Sequence, residues 1–350
     1  MSLRLSLTGR QRRLTRPAQN ARHGWTERDA CLVTLTGDSG RQGRGEASPL
    51  PGFSPDRLDD CAAALGSLEL RGVPESLAVG QSALAELGRA SARLPAELPA
   101  ARAALECALL DLWSQNAERP AWSLLSDARV PAPRRVAALL MGDPEQALPQ
   151  AQLAYARGVR CFKFKIGRPG AIERELSAVV ALRRALGPDV QLRLDANQSL
   201  SVTQARAHLP RFAEQDLEYI EEPCAPRALC ELRDLALPLA CDESLLLGEL
   251  PAFPVRALIL KPSLLGGLSV CAAWAERALG VGAELVVSHA FEGPRGLALS
   301  AVIALCWGSE RFAHGLDLDG ARLNPSAIPY FSNAQLEPWS APGLGTSELE

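Results

Sequence analysis

The rhythm of hydrophobic and polar positions changes near residue 125. Before that point Leu3, Leu5 and Leu7 alternate with polar residues, as a half-buried strand requires. Ala30–Thr36 and Gly43–Ala47 read as two further strands. The glycines of Gly40–Gly45 lack the strand-to-helix setting of a phosphate loop, so a hairpin turn is expected. Ser54 is placed to cap a helix starting near Pro55, with Asp56 in its first turn. Ala100–Gln115 has so little polar interruption that it predicts a helix buried on most sides. Prolines 120, 131 and 133 then mark a boundary. Beyond it, short apolar runs alternate with helical stretches: Arg134–Leu140, Arg160–Ile166, Val190–Leu194, Leu217–Ile220, Leu237–Ala240, Leu258–Leu260, Glu284–Val287 and Phe312–His314. Their spacing, about 20–30 residues, is that of repeated βα units with a parallel sheet. Eight such runs fit a closed (β/α)8-type barrel better than an open sheet.

Composition narrows the classes of function. The 350 residues are 47% hydrophobic and 22% charged, ordinary for a globular chain. A net charge of −3 with scattered arginines argues against nucleic acid and acidic membrane as partners. No apolar run reaches the ~18 residues needed to cross a bilayer. The first 17 residues are arginine-rich and acid-free, as transit peptides are, but the leucine alternation favours a strand. The nine cysteines are odd in number, show no paired CxxC spacing and sit largely in apolar runs. They are expected to be reduced core residues of a cytoplasmic protein. Of the 37 basic residues only three are lysines: Lys163, Lys165 and Lys261. Lysine can give up its proton when its pKa is lowered, which arginine does not, so the three mark positions worth testing for chemistry.

In a βα barrel, polar residues at the C-terminal ends of the strands converge on one mouth. Here successive runs end in Lys163-Phe164-Lys165, Asp195-Ala196-Asn197, Glu221-Glu222-Pro223, Asp242-Glu243-Ser244, Lys261-Pro262-Ser263 and Ser288-His289. Lys163 and Lys165 share a strand face, and their mutual repulsion is expected to lower the pKa of at least one. Asp195, Glu221 and Asp242 would repel at one mouth unless a cation lay between them, and hard oxygen ligands suit Mg2+, with Mn2+ able to substitute. Taken singly, each acid reads as a cap for the following helix; the ordered set between lysines favours a metal site. Glu222 and Glu243 should point away, into structural roles, and His289 is a less favoured base. Gly266-Gly267 leaves open a phosphate-binding barrel.

These motifs resemble the enolase superfamily, in its muconate-lactonizing branch, over essentially the whole chain. The resemblance implies an α/β fold: a modified (β/α)7β TIM-type barrel over 126–322 with an N-terminal α+β capping domain over 1–125. Residues 323–350 would return to the capping domain. Gly45–Ser54, Ile220–Cys224 and Val286–Leu305 are most similar to the o-succinylbenzoate synthases of that branch, enzymes of menaquinone biosynthesis. The implied chemistry is removal of the proton α to the carboxylate of a small-molecule substrate. Lys165 would be the base, Lys163 would contact the carboxylate and tune Lys165, and Lys261 would stabilise developing charge from the opposite face. Asn197 would sit beside the metal. Ser263, Ser288, Phe53, Arg16 and Arg295 would meet substrate, and the loops Arg16–Trp25 and Pro49–Ser54 would close the mouth. Asp317-Leu318-Asp319 points to a second member of the branch, because dipeptide epimerases carry a DxD there to hold the substrate ammonium. A non-catalytic metal-binding protein is the alternative of a different class, and it predicts loss of a lysine or a carboxylate, which this chain has not undergone.

Overall fold

The computed structural model describes residues 3–20, 23–126, 129–317, 330–332 and 334–346. The alternating start builds two long strands, β1 (Arg4–Gln19) and β2 (Gly24–Thr36), and β2 continues through the turn at residues 37–41 into β3 (Gln42–Ala47). The three form an antiparallel meander. Gly40 donates to the Gly37 carbonyl at 3.0 Å, so the glycine-rich stretch is a hairpin turn. Residues 16–19, expected in a loop, extend β1; the register slips between Arg13 and Ala18. Asn20 and Trp25 flank the tip.

Helices α1 (Leu58–Gly66), α2 (Ala83–Ser91) and α3 (Pro99–Asn116) follow. Ser54 does not cap α1: its hydroxyl accepts the amide of Leu50 at 2.7 Å and closes the preceding loop. Asp56 instead reaches across to the amide of Ala100 at 2.8 Å, capping α3, where Pro99 costs no hydrogen bond. Nearly every residue of α3 is buried. The β3 ribbon lies against it so closely that a Cβ on Gly45 would stand 2.0 Å from the Ala104 carbonyl oxygen.

After β4 (Arg134–Arg135) the βα rhythm begins: β5 (Ala138–Leu140), α4 (Ala147–Ala156), β6 (Cys161–Lys165), α5 (Ile172–Leu186), β7 (Gln191–Asp195), α6 (Val202–Ala213), β8 (Leu217–Glu221) and β9 (Leu239–Cys241). It continues with β10 (Ala257–Leu260), the short α7 (Pro262–Leu265), α8 (Leu268–Val281), β11 (Glu284–Val287) and α9 (Pro294–Trp307). Strands β5 to β11 form one parallel sheet in sequence order, as right-handed βαβ crossovers give.

The eighth run closes the sheet with a few bonds. The Ala137 amide donates to the His314 carbonyl and the His314 amide to that of Arg135, both at 2.8 Å, while the Gly315 amide donates to Val287 at 2.9 Å. Parallel bridges thus join this segment to both edges, at Val136 and Ser288. The His314 ring is fully buried; its Nδ1 accepts the Val287 amide at 3.0 Å and its Nε2 lies 3.1 Å from the Ser309 carbonyl. Burial holds its pKa down at about 3. Near the C-terminus, β12 (Phe331–Ser332) and β13 (Gln335–Leu336) pair with β4, and the Leu344 amide donates to Asp111 of α3 at 3.0 Å.

Candidate active site

Register explains how sequence motifs become one site. In the parallel ladder Lys165 stands beside Asp195 and Asp195 beside Glu221, so the three side chains share a face at the strand ends. One layer deeper, Lys163, Arg193 and Tyr219 are neighbours in the same way. Three strands, β7, β8 and β9, separate β6 from β10, so Lys261 approaches from the other side. Phe162 and Phe164 point outward into the core beneath the helices.

The three lysines are buried and paired with acids. Lys163 Nζ lies 3.1 Å from both Glu221 carboxylate oxygens and 3.2 Å from Asp195 Oδ2. Lys165 Nζ donates to Asp195 Oδ2 at 3.1 Å and to Asn197 Oδ1 at 2.7 Å. Lys261 donates to Asp242 and stands 4.9 Å from the centre of the Phe53 ring. The expected lowering of a lysine pKa by its neighbour is therefore not what the structure gives Lys163. Burial does push it down, but Glu221, Asp195 and Asp242 outweigh burial and hold it above the ordinary lysine range. Lys261 is raised in the same way, burial being overcome chiefly by Asp242 and Glu221.

The acids are strained by proximity. Burial and the neighbouring Asp195 raise the Glu221 carboxyl to about 7. Burial also raises Asp242, with Lys261 opposing. Asp195 goes the other way: burial is outweighed by Lys165, Lys163 and Lys261, which hold it low. Glu222 fills the structural role expected of it, accepting the amides of Asp242 at 2.8 Å and Ser244 at 3.1 Å. Glu243 does not turn away as expected. Its Oε1 accepts Asn197 Nδ2 at 3.3 Å, which makes it the support of the residue that holds Lys165.

Among the described residues, no three His, Cys, Asp or Glu side chains are arranged to hold a metal ion. The donor set nonetheless fits a hard dication. Asp195, Glu221, Asp242 and Glu243 crowd the strand ends against three ammonium groups, and Asp195 and Asp242 are among the causes raising Glu221. A dication between Asp195, Glu221 and Asp242 would relieve that repulsion and free the lysines.

Around these groups lies a cavity with an open mouth. Its wall takes Trp25, Leu50, Phe53, Leu139 and Phe291 from the capping sheet, the lid segment and the barrel rim. Ser288, Asn197 and Asp317 also line it, and Asp317 Oδ2 accepts the Leu139 amide at 3.4 Å. Three expected substrate contacts fall elsewhere. Arg16 is exposed on β1 and absent from the lining. Ser263 gives its hydroxyl to Glu292. Arg295 is buried at the start of α9, beside Cys107, Arg44 and Glu46, where burial lowers its pKa. Asp319 lies outside the described residues. Arg193 was not anticipated, although its position two before Asp195 placed it on the inner face. It lines the cavity floor, with its guanidinium carbon 4.6 Å from the Tyr219 ring centre. The phosphate-binding alternative fails on Glu106, whose carboxylate already accepts the Ser269 amide at 2.9 Å at the start of α8.

This closed βα sheet with buried acids and lysines at its strand ends has counterparts. Residues 4–126 match the family described as mandelate racemase / muconate lactonizing enzyme, N-terminal domain, and residues 146–348 match the enolase C-terminal domain-like family. The chain belongs to the enolase superfamily. It is 32% identical over 329 residues to the o-succinylbenzoate synthase of Enterobacter sp. (strain 638), covering 89% of this chain and 91% of that one. It is 30% identical over 327 residues to the hydrophobic dipeptide epimerase of Roseobacter litoralis, covering 91% of each. Among solved structures, the dipeptide epimerase of Methylococcus capsulatus complexed with Mg and the dipeptide L-Arg-D-Lys superposes with a TM-score of 0.81 at 28% identity, over 99% of both chains. Its superfamily membership and its synthase and epimerase relatives make the chain an enzyme. Among the described residues no helix is long and apolar enough to cross a membrane.

Proposed function

We propose that the chain is an o-succinylbenzoate synthase-like lyase. It would dehydrate 2-succinyl-6-hydroxy-2,4-cyclohexadiene-1-carboxylate with syn stereochemistry. The observation that carries this reading is the placement of lysines on both sides of one cavity, with buried acids between them and an apolar wall opposite. The synthase relatives at about nine tenths coverage support it. Mg2+, held by Asp195, Glu221 and Asp242, would supply positive charge for the substrate carboxylate as negative charge develops there.

Lys165 takes the proton α to the carboxylate. Asn197, itself held by Glu243, fixes the direction of the Lys165 amine. Lys163 supplies a fixed positive charge beside the carboxylate, and Lys261 supplies another from the opposite face. Lys165 then returns its proton to the hydroxyl on the neighbouring carbon, which departs as water while the C–H electron pair becomes the new ring double bond. The ring becomes aromatic, which drives the step. Trp25, Leu50, Phe53 and Phe291 exclude water from the reacting centre.

Asp317 favours a second reading. A carboxylate lining the cavity beside Leu139 suits a substrate ammonium, as in a dipeptide epimerase, and there Lys261 would return a proton to the opposite face. The test offers the Mg2+-loaded protein the cyclohexadiene acid and, separately, L-dipeptides in deuterated water. Aromatic product supports the lyase. Deuterium gain with inversion at a dipeptide α-carbon supports the epimerase. Neither result would return the chain to non-catalytic metal binding.

A further inference from the structure

The outer wall of the cavity is gathered by a side chain that the chemistry above does not use. Arg28 lies on β2 and is 2% exposed. Its guanidinium donates to three backbone carbonyls: Ser48, Pro49 at 2.9 Å and Phe291 at 3.2 Å. Ser48 and Pro49 open the lid segment that supplies Leu50 and Phe53, whereas Phe291 belongs to the rim segment after β11 that also supplies His289 and Ala290. The same seam carries further ties. Arg12 donates to the carbonyls of Phe291 at 2.8 Å and Glu292 at 3.1 Å. The Gly293 amide donates to Glu46 at 2.6 Å. Glu292 accepts the Ala290 amide at 2.6 Å and the hydroxyl of Ser263, two residues after Lys261. Burial pushes the Arg28 pKa down, and the nearby Glu292 and Glu46 pull it back up.

We infer that Arg28 is a positioning residue that sets which substrates the cavity accepts, by binding the lid and rim segments into one wall. A planar guanidinium with donors in a fixed fork can serve carbonyls from two segments at once, whereas an ammonium cannot match that geometry. The two segments come from opposite parts of the molecule, the capping sheet and the barrel. Trp25 follows the same seam: its Nε1 donates to the Pro51 carbonyl at 3.0 Å and its ring lies 6.0 Å from that of Phe291. Loss of the guanidinium leaves the Ser48 and Pro49 carbonyls without this donor and the Phe291 carbonyl with Arg12 alone, and the seam admits water to satisfy them. The wall so loosened is the one that faces the part of a substrate remote from its carboxylate, so binding suffers before proton transfer does.

The test uses the full chain with Mg2+, as wild type, Arg28→Met and Arg28→Lys. Amide hydrogen exchange is expected to speed up by about tenfold or more in residues 48–54 and 289–293 together in Arg28→Met, with β6, β7 and β8 unchanged and Arg28→Lys between the two. Loosening of one segment alone, or of neither, overturns the inference. A kinetic arm rests on the reaction proposed above: KM for the cyclohexadiene acid should rise about tenfold with kcat within about threefold. A fall in kcat at unchanged KM overturns the inference too. Should Arg28→Met fail to fold, Arg28→Lys carries both measurements. If the proposed reaction is wrong, wild type shows no turnover either, while the exchange result still reads the wall, so the two failures are distinguishable.

Discussion

His314 makes closure of the barrel depend on pH, with a sign and size that can be measured. Its ring is buried where the eighth strand meets β11, and its Nδ1 accepts the Val287 amide, so the native state requires the neutral form. Its pKa falls from 6.5 to about 3, burial being the largest cause. As pH drops below 6.5 the unfolded chain binds a proton that the folded chain refuses, so this residue's contribution to stability is complete above that value and is lost as pH falls toward 3. The loss is about 1.4 kcal/mol per pH unit, hence about 2 kcal/mol between pH 7 and pH 5. Buried carboxyls oppose it. Glu221, Glu222 and Glu243 are raised to about 7, so they stabilise the folded state on acidification through that range. The comparison must therefore be a difference. His314→Gln keeps an acceptor and a donor in place but cannot titrate. Urea unfolding of both proteins at pH 7, 6 and 5, with chelator present, should show the wild type's advantage over the variant shrinking by about 2 kcal/mol. A gap that stays constant within about 0.5 kcal/mol would refute the assignment of a buried neutral imidazole at this seam.

Further outcomes follow from the site and the fold. Lys165→Ala should lower exchange of the substrate α-proton with deuterated water by about a thousandfold or more, read by mass spectrometry on folded protein; wild-type exchange would remove Lys165 as the base. Glu221→Gln should weaken Mg2+ binding, followed by calorimetry, by at least about tenfold, because the variant removes an anionic ligand; an unchanged affinity would take Glu221 out of the metal set. Gly45→Ala would drive a Cβ to 2.0 Å from the Ala104 carbonyl oxygen, so β3 must move off α3. The expected cost is about 3 kcal/mol or more, and a melting temperature equal to wild type would mean that the ribbon is not pressed on the helix as described.

The chemistry-bearing strand ends were legible in the sequence because they obey a local rule. Period two puts Lys163 and Lys165 on one face, and a βα rhythm puts Asp195, Glu221, Asp242 and Lys261 at successive strand ends. The same rule applied one step deeper would have found Arg193. What escaped was set by contacts between distant segments. Ser263 follows the lysine motif yet turns to Glu292, Arg295 packs beside Cys107 of α3, and Arg16 sits exposed where β1 was expected to have ended. For Lys163 the reason is related: the expectation weighed it against Lys165 on one strand, whereas the carboxylates Glu221, Asp195 and Asp242 of the following strands dominate. Local spacing predicts Ser54 as a cap, but its hydroxyl accepts the Leu50 amide within the preceding loop.

All three lysines of the chain line the same cavity. The exterior is therefore almost mute toward amine-directed reagents. Reductive methylation, acylation or reaction with an aldehyde would meet only the α-amino group and the interior trio, so the extent of labelling becomes a direct gauge of whether the cavity is filled. For the same reason, coupling to a solid support or to a partner through amines outside the cavity would rest on the α-amino group alone, and carboxyl chemistry would offer more sites.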